Sequence, residues 1–325
     1  MFSLRRWWRP TQIPVLGVDL GANAIRIVGL SGADRSWPPK LTHYAVQPLP
    51  RGAIRDGVIS MPDEVSAGLR EAVIASGSRL RDIALALPAG AAIKKTLMLP
   101  AALNEDELEL QVEVEAGETL PFPRNDIAID FAVAGPATES PDCVDVVLVA
   151  ARRERIDERI SIAQAAGLRP VIVDIESHAL MSAITLVDAA RGSGSVSSVP
   201  VIAVVWLEPE RSYCLFIAGG VLLYERDFGP GLVSESTSTE RICQEFDRAL
   251  QLFQTATPHS PPQRLYLLGA TSTALPIALQ QRTGIPVEQP DPLQQWRGSV
   301  DKRGAASEPS SLSLLACGLA MRSFD

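Results

Sequence analysis

Histidine is scarce in this chain, with three in 325 residues, and aromatic residues make up only 5%. His43, His178 and His259 are far apart in sequence, and none stands in a pattern that assembles a nucleophile and base, so ordinary hydrolase chemistry has no support. Cys143, Cys214, Cys243 and Cys317 form neither a CxxC pair nor a metal spacing; they read as buried thiols of a reducing compartment. A Lys-containing phosphate loop, a GxGxxG turn, a nucleophile elbow and a solenoid repeat are all missing. The longest apolar runs, such as 199–207 with Pro200 inside it, are strand-length and too short to cross a bilayer, so no membrane span is expected. Positive charge is also in deficit. A formal net charge of -8 offers nucleic-acid phosphates no general attraction, and no nucleic-acid partner is expected.

What remains is apolar material in quantity, 46% of a chain longer than one core usually serves, so two α/β lobes are expected. The first residues, 1–12, combine Arg5, Arg6 and Arg9 with Trp7 and Trp8, a basic aromatic leader open to three readings: solvated, on an anionic surface, or against a partner. VLGVDLG, from Val15 to Gly21, predicts a strand and a sharp turn, followed by a second strand in which Ile25, Ile27 and Leu30 are apolar and Arg26 lies on the opposite side. Asp19 can orient a hydrated cation beside a phosphate if a nucleotide enters this turn; the same residues can equally form a plain hairpin.

Helical spacing follows over 63–76, then the strand pattern IALALP. Lys94 and Lys95 read as guards of an exposed strand edge, with an acidic contact as the alternative. At Asn104 the spacing to Glu107 predicts a capping box with Leu103 stapled on Leu108, and Leu108, Leu110, Val112 and Val114 are the apolar positions of that helix. Its seven carboxylates from Glu105 to Glu118 read as a solvated face, since no paired acid or ligand cluster accompanies them. Two strands around 127–133 and 144–150 precede a helix over 153–166 with Ile156, Ile160 and Ala163 inward, stopped by Gly167. PVIVDIE is the next strand; Asp174 near its end, with Glu176 and His178, reads as a hydrogen-bonded junction.

RGSGSVSSVP over 191–200 is the boundary between lobes, which gives a first lobe at 13–190 and a second at 200–325. Two strands joined at Gly219 and Gly220 follow, then a helix with Thr237 as its cap towards Glu240 and with Ile242, Phe246, Leu250 and Phe253 on one face. RLYLLG is a further strand, and the chain closes on an amphipathic helix with Leu312, Leu315, Ala316 and Leu319 inward.

GVDLGANAIRIVGLS at 17–31, ELELQVEVEAGETLPFP at 107–123, the run 144–180, RLYLLG, GIPVEQPDPL at 284–293 and ACGLAMR at 316–322 occur in an order that resembles the PilM family of bacterial type IV pilus assembly proteins. The resemblance implies a two-lobed α/β fold of the actin-like ATPase class, related to FtsA, with an inserted subdomain at about 90–160 and a shortened second-lobe subdomain. It implies a cytoplasmic scaffold, peripheral at the inner membrane, that receives the N-terminal tail of a PilN-like membrane protein and meets other pilus platform and motor proteins; a platform component of type II secretion is the alternative. It also implies ATP or ADP with Mg between the lobes, with Asp19, Gly21, Asn23, Asp174 and Gly269 matching the nucleotide side of the family pattern. Two departures set this chain apart. Val205-Trp206-Leu207 stands where relatives carry Asp-Ile-Gly, and the adenosine motif is reduced to Gly269-Ala270-Thr271. A scaffold that requires no cofactor and turns over no appreciable ATP is therefore expected, with a nucleotide-binding regulatory ATPase as the alternative.

Overall fold

A computed structural model describes residues 13–32, 39–137, 140–189, 199–208, 211–229, 239–269, 272–291 and 310–324. The leader, the serine-glycine stretch 191–198, Thr237 and the pair 270–271 lie outside the described residues.

Three antiparallel strands open the fold, β1 (Leu16–Leu20), β2 (Ala24–Ser31) and β3 (Lys40–Pro48). A small hairpin, β4 (Ile54–Arg55) and β5 (Val58–Ile59), leads to α1 (Pro62–Ser76) and β6 (Asp82–Leu87). An inserted unit then departs: β7 (Ala92–Pro100), α2 (Glu105–Thr119), β8 (Ile127–Pro136) and β9 (Cys143–Arg152) make an antiparallel sheet in the order β7-β9-β8, with α2 across it. The chain returns through α3 (Arg153–Ala165), β10 (Arg169–Ile175) and α4 (Glu176–Ala189). In the first sheet the order is β10-β6-β1-β2-β3.

The second lobe repeats this plan without the insertion. Strands β11 (Val201–Glu208), β12 (Arg211–Ala218) and β13 (Val221–Asp227) form the meander; α5 (Thr239–Ala256), β14 (Arg264–Gly269), α6 (Ala274–Thr283), β15 (Val287–Glu288) and α7 (Leu314–Met321) follow. Its sheet order, β13-β12-β11-β14-β15, is that of the first sheet in reverse reading. Parallel pairing of β6 with β1 and of β14 with β11 is made possible by the crossover helices α1 and α5.

Burial sorts these elements into layers. Leu16, Val18, Ile25 and Ile27 pack with Val65, Leu69, Val73, Ile162 and Ala163 of α1 and α3 on the outer face of the first sheet. Val205, Phe216, Phe246, Phe253 and Leu279 form the equivalent core under α5 and α6. Between the sheets lies a single shared core in which Val28, Tyr44 and Ala84 of one sheet and Val204, Trp206 and Leu215 of the other enclose α4 and α7. Both sheets are covered on two faces, which is why their central strands are apolar almost throughout rather than alternating.

Several expectations change in this setting. Residues 314–320 of α7 are all buried, so the closing helix is enclosed rather than amphipathic, and although it follows the second lobe in sequence it packs on β1 and α4. Leu108, Val112 and Ala116 bury the inner face of α2, whereas Leu110 and Val114 are exposed. In α3 the buried residues are Arg159, Ile162 and Ala163; Ile156 and Ile160 are half-buried. Arg26 does lie on the side of β2 opposite Ile25 and Ile27, but that side faces the second lobe and the residue is 1% exposed.

Candidate functional site

Two hairpin ends meet between the sheets. Gly21 donates to the Ala24 carbonyl at 3.0 Å and turns β1 into β2, and its Cβ position would lie 2.7 Å from Nη1 of Arg26, so any larger side chain displaces that arginine. The register sets Asp19 opposite Arg26 across this hairpin and Glu208 opposite Arg211 across the hairpin of the second lobe. By strand alternation all four side chains fall on the inner faces of their sheets.

The four are joined both within and between lobes. Arg26 reaches Asp19 Oδ2 at 2.6 Å and Glu208 Oε1 at 2.8 Å; Arg211 reaches Glu208 Oε2 at 2.7 Å and Asp19 Oδ1 at 3.3 Å. Arg211 also bonds Glu176 at the start of α4 and lies over the Trp206 ring, 5.5 Å from its centroid. Burial pushes the Glu208 carboxyl up, but the guanidinium groups of Arg211 and Arg26 outweigh it and hold the pKa at about 2. At Glu176 burial prevails, and its carboxyl is raised despite Arg211.

The residues expected around a nucleotide occupy these places. Asp19 is inside the network, with both oxygens engaged. Asp174 accepts from the Ile175 amide at 2.7 Å through Oδ1 and pairs with Arg322 at 2.7 Å through Oδ2. Gly269 has φ 104°, its amide donates to Ser311 Oγ at 3.2 Å, and a Cβ there would stand 2.0 Å from the Leu207 carbonyl oxygen, so strand packing by itself demands glycine. Asn23 is exposed in the turn, and its carbonyl accepts from the Leu49 amide at 2.8 Å. A cation carried by nucleotide phosphates needs carboxylate oxygens to bind or to orient its waters. Here the oxygens of Asp19, Asp174 and Glu208 are committed to arginines or backbone, and the residues do not fit such a group. Among the described residues no group of three or more His, Cys, Asp or Glu side chains is placed to hold a metal ion.

The sequence reading missed Glu208, Arg211 and Arg26 as members of one site. It set Val205-Trp206-Leu207 where relatives carry Asp-Ile-Gly; the acid that the second lobe brings to this site is Glu208. A carboxylate three residues before an arginine at a strand end was the visible signal; its partner in the first lobe is remote in sequence.

Beside the network opens a cleft of about 710 Å³ where all three units meet. Pro88 contributes from the first lobe, Ile93, Phe122 and Arg152 from the inserted unit, and Tyr213 and Leu215 from β12, with Glu176 and Arg211 also in the lining. Arg152 stacks on Phe122, 5.0 Å from the ring centroid, so Phe122 is half-buried under a cation. Lys94 does not guard a free edge: it reaches Ser177 and, in β13, Glu225, both at 2.8 Å, and so links the inserted unit to each lobe. Three buried polar atoms find no partner among the described residues, Glu176 Oε2, Tyr213 Oη and Arg226 Nε, and all three residues line this cleft. Buried polar atoms are ordinarily paired; these three are enclosed behind the wall of the cleft rather than presented to it.

The model of a family described as type IV pilus assembly protein PilM matches residues 17–239 and 236–324. Among solved structures, a PilM-PilN type IV pilus biogenesis complex is similar at 23% identity, over 97% of this chain and 99% of that one, with a TM-score of 0.75. The ethanolamine utilization protein EutJ from Carboxydothermus hydrogenoformans is similar at 14% identity, over 99% and 94% of the two chains, with a TM-score of 0.50.

Proposed function

The chain belongs to the PilM family of type IV pilus assembly proteins, and from that premise we propose that it is a cytoplasmic scaffold, peripheral at the inner membrane, which binds the N-terminal tail of a PilN-like membrane protein without appreciable ATP hydrolysis. The two-lobed α/β fold is that of the actin-like ATPases, a class associated with nucleotide. The observation that supports the scaffold reading most directly is the likeness over almost the whole of both chains to a PilM solved with its PilN partner. Among the described residues no helix is long and apolar enough to cross a membrane, so contact with the machinery runs through a partner in this reading.

The cleft supplies the features a short tail needs. Ile93 and Phe122 offer an apolar lining, and Arg152, Arg155 and Asp227 in the same lining offer hydrogen bonds to a peptide backbone or polar side chain. Part of that lining comes from within 90–160, the inserted unit expected to receive the tail. Titration of a labelled cognate tail, with a scrambled tail as control, is expected to give specific binding tighter than about 100 μM, roughly -5.5 kcal/mol; equal behaviour of the two peptides up to that concentration would end this reading. The same preparation is expected to show negligible ATPase activity. Magnesium-dependent turnover that disappears in Asp19→Ala would establish the regulatory ATPase instead.

A further inference from the structure

We infer that Arg26 and Arg211 take over, in this chain, the electrostatic task of a nucleotide-borne cation: they cross-link the hairpin acids of the two lobes, so that lobe closure is built into the protein and is indifferent to nucleotide.

The pairing is quasi-symmetric. Each hairpin sets an acid on its first strand against an arginine on its second, Asp19 against Arg26 and Glu208 against Arg211. Each arginine then also engages the acid of the other lobe, Arg26 to Glu208 at 2.8 Å and Arg211 to Asp19 at 3.3 Å. Two acids and two arginines balance in charge. Their side chains are 1%, 4%, 1% and 12% exposed for Asp19, Glu208, Arg26 and Arg211. Glu176, at the start of α4, is also bonded to Arg211, and burial raises its carboxyl.

Buried ions are tolerable only while paired, and removal of one partner strands the other. Separation of the lobes would break the Arg26–Glu208 and Arg211–Asp19 pairs at once, together with that of Arg211 and Glu176, which makes the swap a lock. Entry of a phosphate-bound cation would require the acids to release both guanidinium groups inside a closed core, with Arg211 also held over Trp206. The same two groups therefore close the lobes and exclude the metal. Were partner binding to depend on closure, it would proceed in the absence of ATP.

Thermal melting and hydrogen exchange of the wild-type chain, with Mg-ATP, with Mg-ADP and with a chelator, test the first half. The melting temperature is expected to stay within about 1 °C across these conditions, and exchange at 16–31 and 201–218 is expected not to change; a nucleotide-dependent rise of about 4 °C or more, the signature of a ligand that binds the folded state, overturns the inference. A double-mutant cycle tests the lock. Arg26→Met, Glu208→Gln and the double variant are compared, because these two residues sit in different lobes. The double variant is expected to melt several degrees above the value that additive single effects give, since each single change strands the other's charge; strict additivity overturns the inference. Should Arg26→Met fail to fold, Arg26→Lys carries the same cycle, because an ammonium cannot span both acids with two separate nitrogens. Failure of a tail peptide to bind would leave both measurements unaffected, so this inference and the scaffold reading are judged apart.

Discussion

His178 has Lys94, Arg322 and Glu225 in its electrostatic surroundings, at the foot of α4. Burial, reinforced by the charges of Lys94 and Arg322 against the smaller opposite pull of Glu225, lowers its pKa from 6.5 to about 4. Between those values the unfolded chain binds one proton more than the folded one, so stability falls as pH drops, with a slope of up to about 1.4 kcal/mol per pH unit from this site. Glu208 acts in the next window down. Its folded pKa of about 2 lies below the ordinary carboxylate value of 4.5, so its contribution is complete above pH 4.5 and is lost as pH falls towards 2. Burial raises the Asp130 carboxyl from 3.8 to about 7, which gives a slope of opposite sign over much of this window, so the histidine is read from a difference: in urea denaturation across pH 7 to 4, His178→Gln is expected to lose less stability on acidification than the wild type, and an identical pH dependence of the two would remove His178 as a source. Neither the His178 nor the Glu208 shift was legible from residue type, because both arise from neighbours supplied by other elements.

α2 shows how far local pattern reaches. The capping box read from Asn104 and Glu107 is present, with the Glu107 amide donating to Asn104 Oδ1 at 3.0 Å and the Asn104 amide to Glu107 Oε2 at 2.9 Å. Which apolar positions face inward was not legible, because ELELQVEVE alternates with period two and so places apolar residues on both sides of a helix. Packing on β9 through Val146 and Leu148 chose Leu108, Val112 and Ala116. Leu110→Ala is accordingly expected to change stability by no more than about 0.5 kcal/mol, Asn104→Ala to cost about 1 kcal/mol, and Val112→Ala to cost about 2 kcal/mol or more; denaturant melts of the three variants check the order. α7 gives the opposite case. A Cβ on Gly318 would stand 1.8 Å from the Ala179 carbonyl oxygen, so the two helices touch backbone to backbone. Gly318→Ala is expected to cost about 3 kcal/mol or more through forced separation of α7 from α4, again measured by chemical denaturation.

At the scale of the molecule, the two lobes are variations on one plan, and the inserted unit is the difference between them. It is joined to the rest through Lys94, which holds Ser177 of α4 and Glu225 of β13, with both ionic partners partly solvated. A pair of that exposure is worth about 1 kcal/mol at most, so Lys94→Met is expected to leave the global melt almost unchanged. Hydrogen exchange of β7 and β13 is expected to quicken all the same, because the unit loses its bridge across the cleft. Unchanged exchange in both strands would show that the inserted unit is held by its covalent connections and by α3 alone.

The sequence by itself determined the elements and most of their order: the strand and helix periods, the α2 cap, the Gly167 stop and the family motifs are local, set by neighbours a few residues apart. It also determined the class, since apolar strands alternating with helices leave few ways to cover both faces of each sheet. The tertiary structure alone decided what the polar residues do. Arg26 reads only as the residue opposite the apolar side of a strand until a second sheet is laid over it, and Glu208 and Arg211 acquire meaning only when their hairpin meets that of Asp19. The same holds for the cleft, whose lining comes from the first lobe, the inserted unit and the second lobe. Helix and strand patterns are recorded along the chain, whereas the pairing of buried charges depends on which distant segments are brought within about 3 Å of one another, and only the packed fold sets that distance.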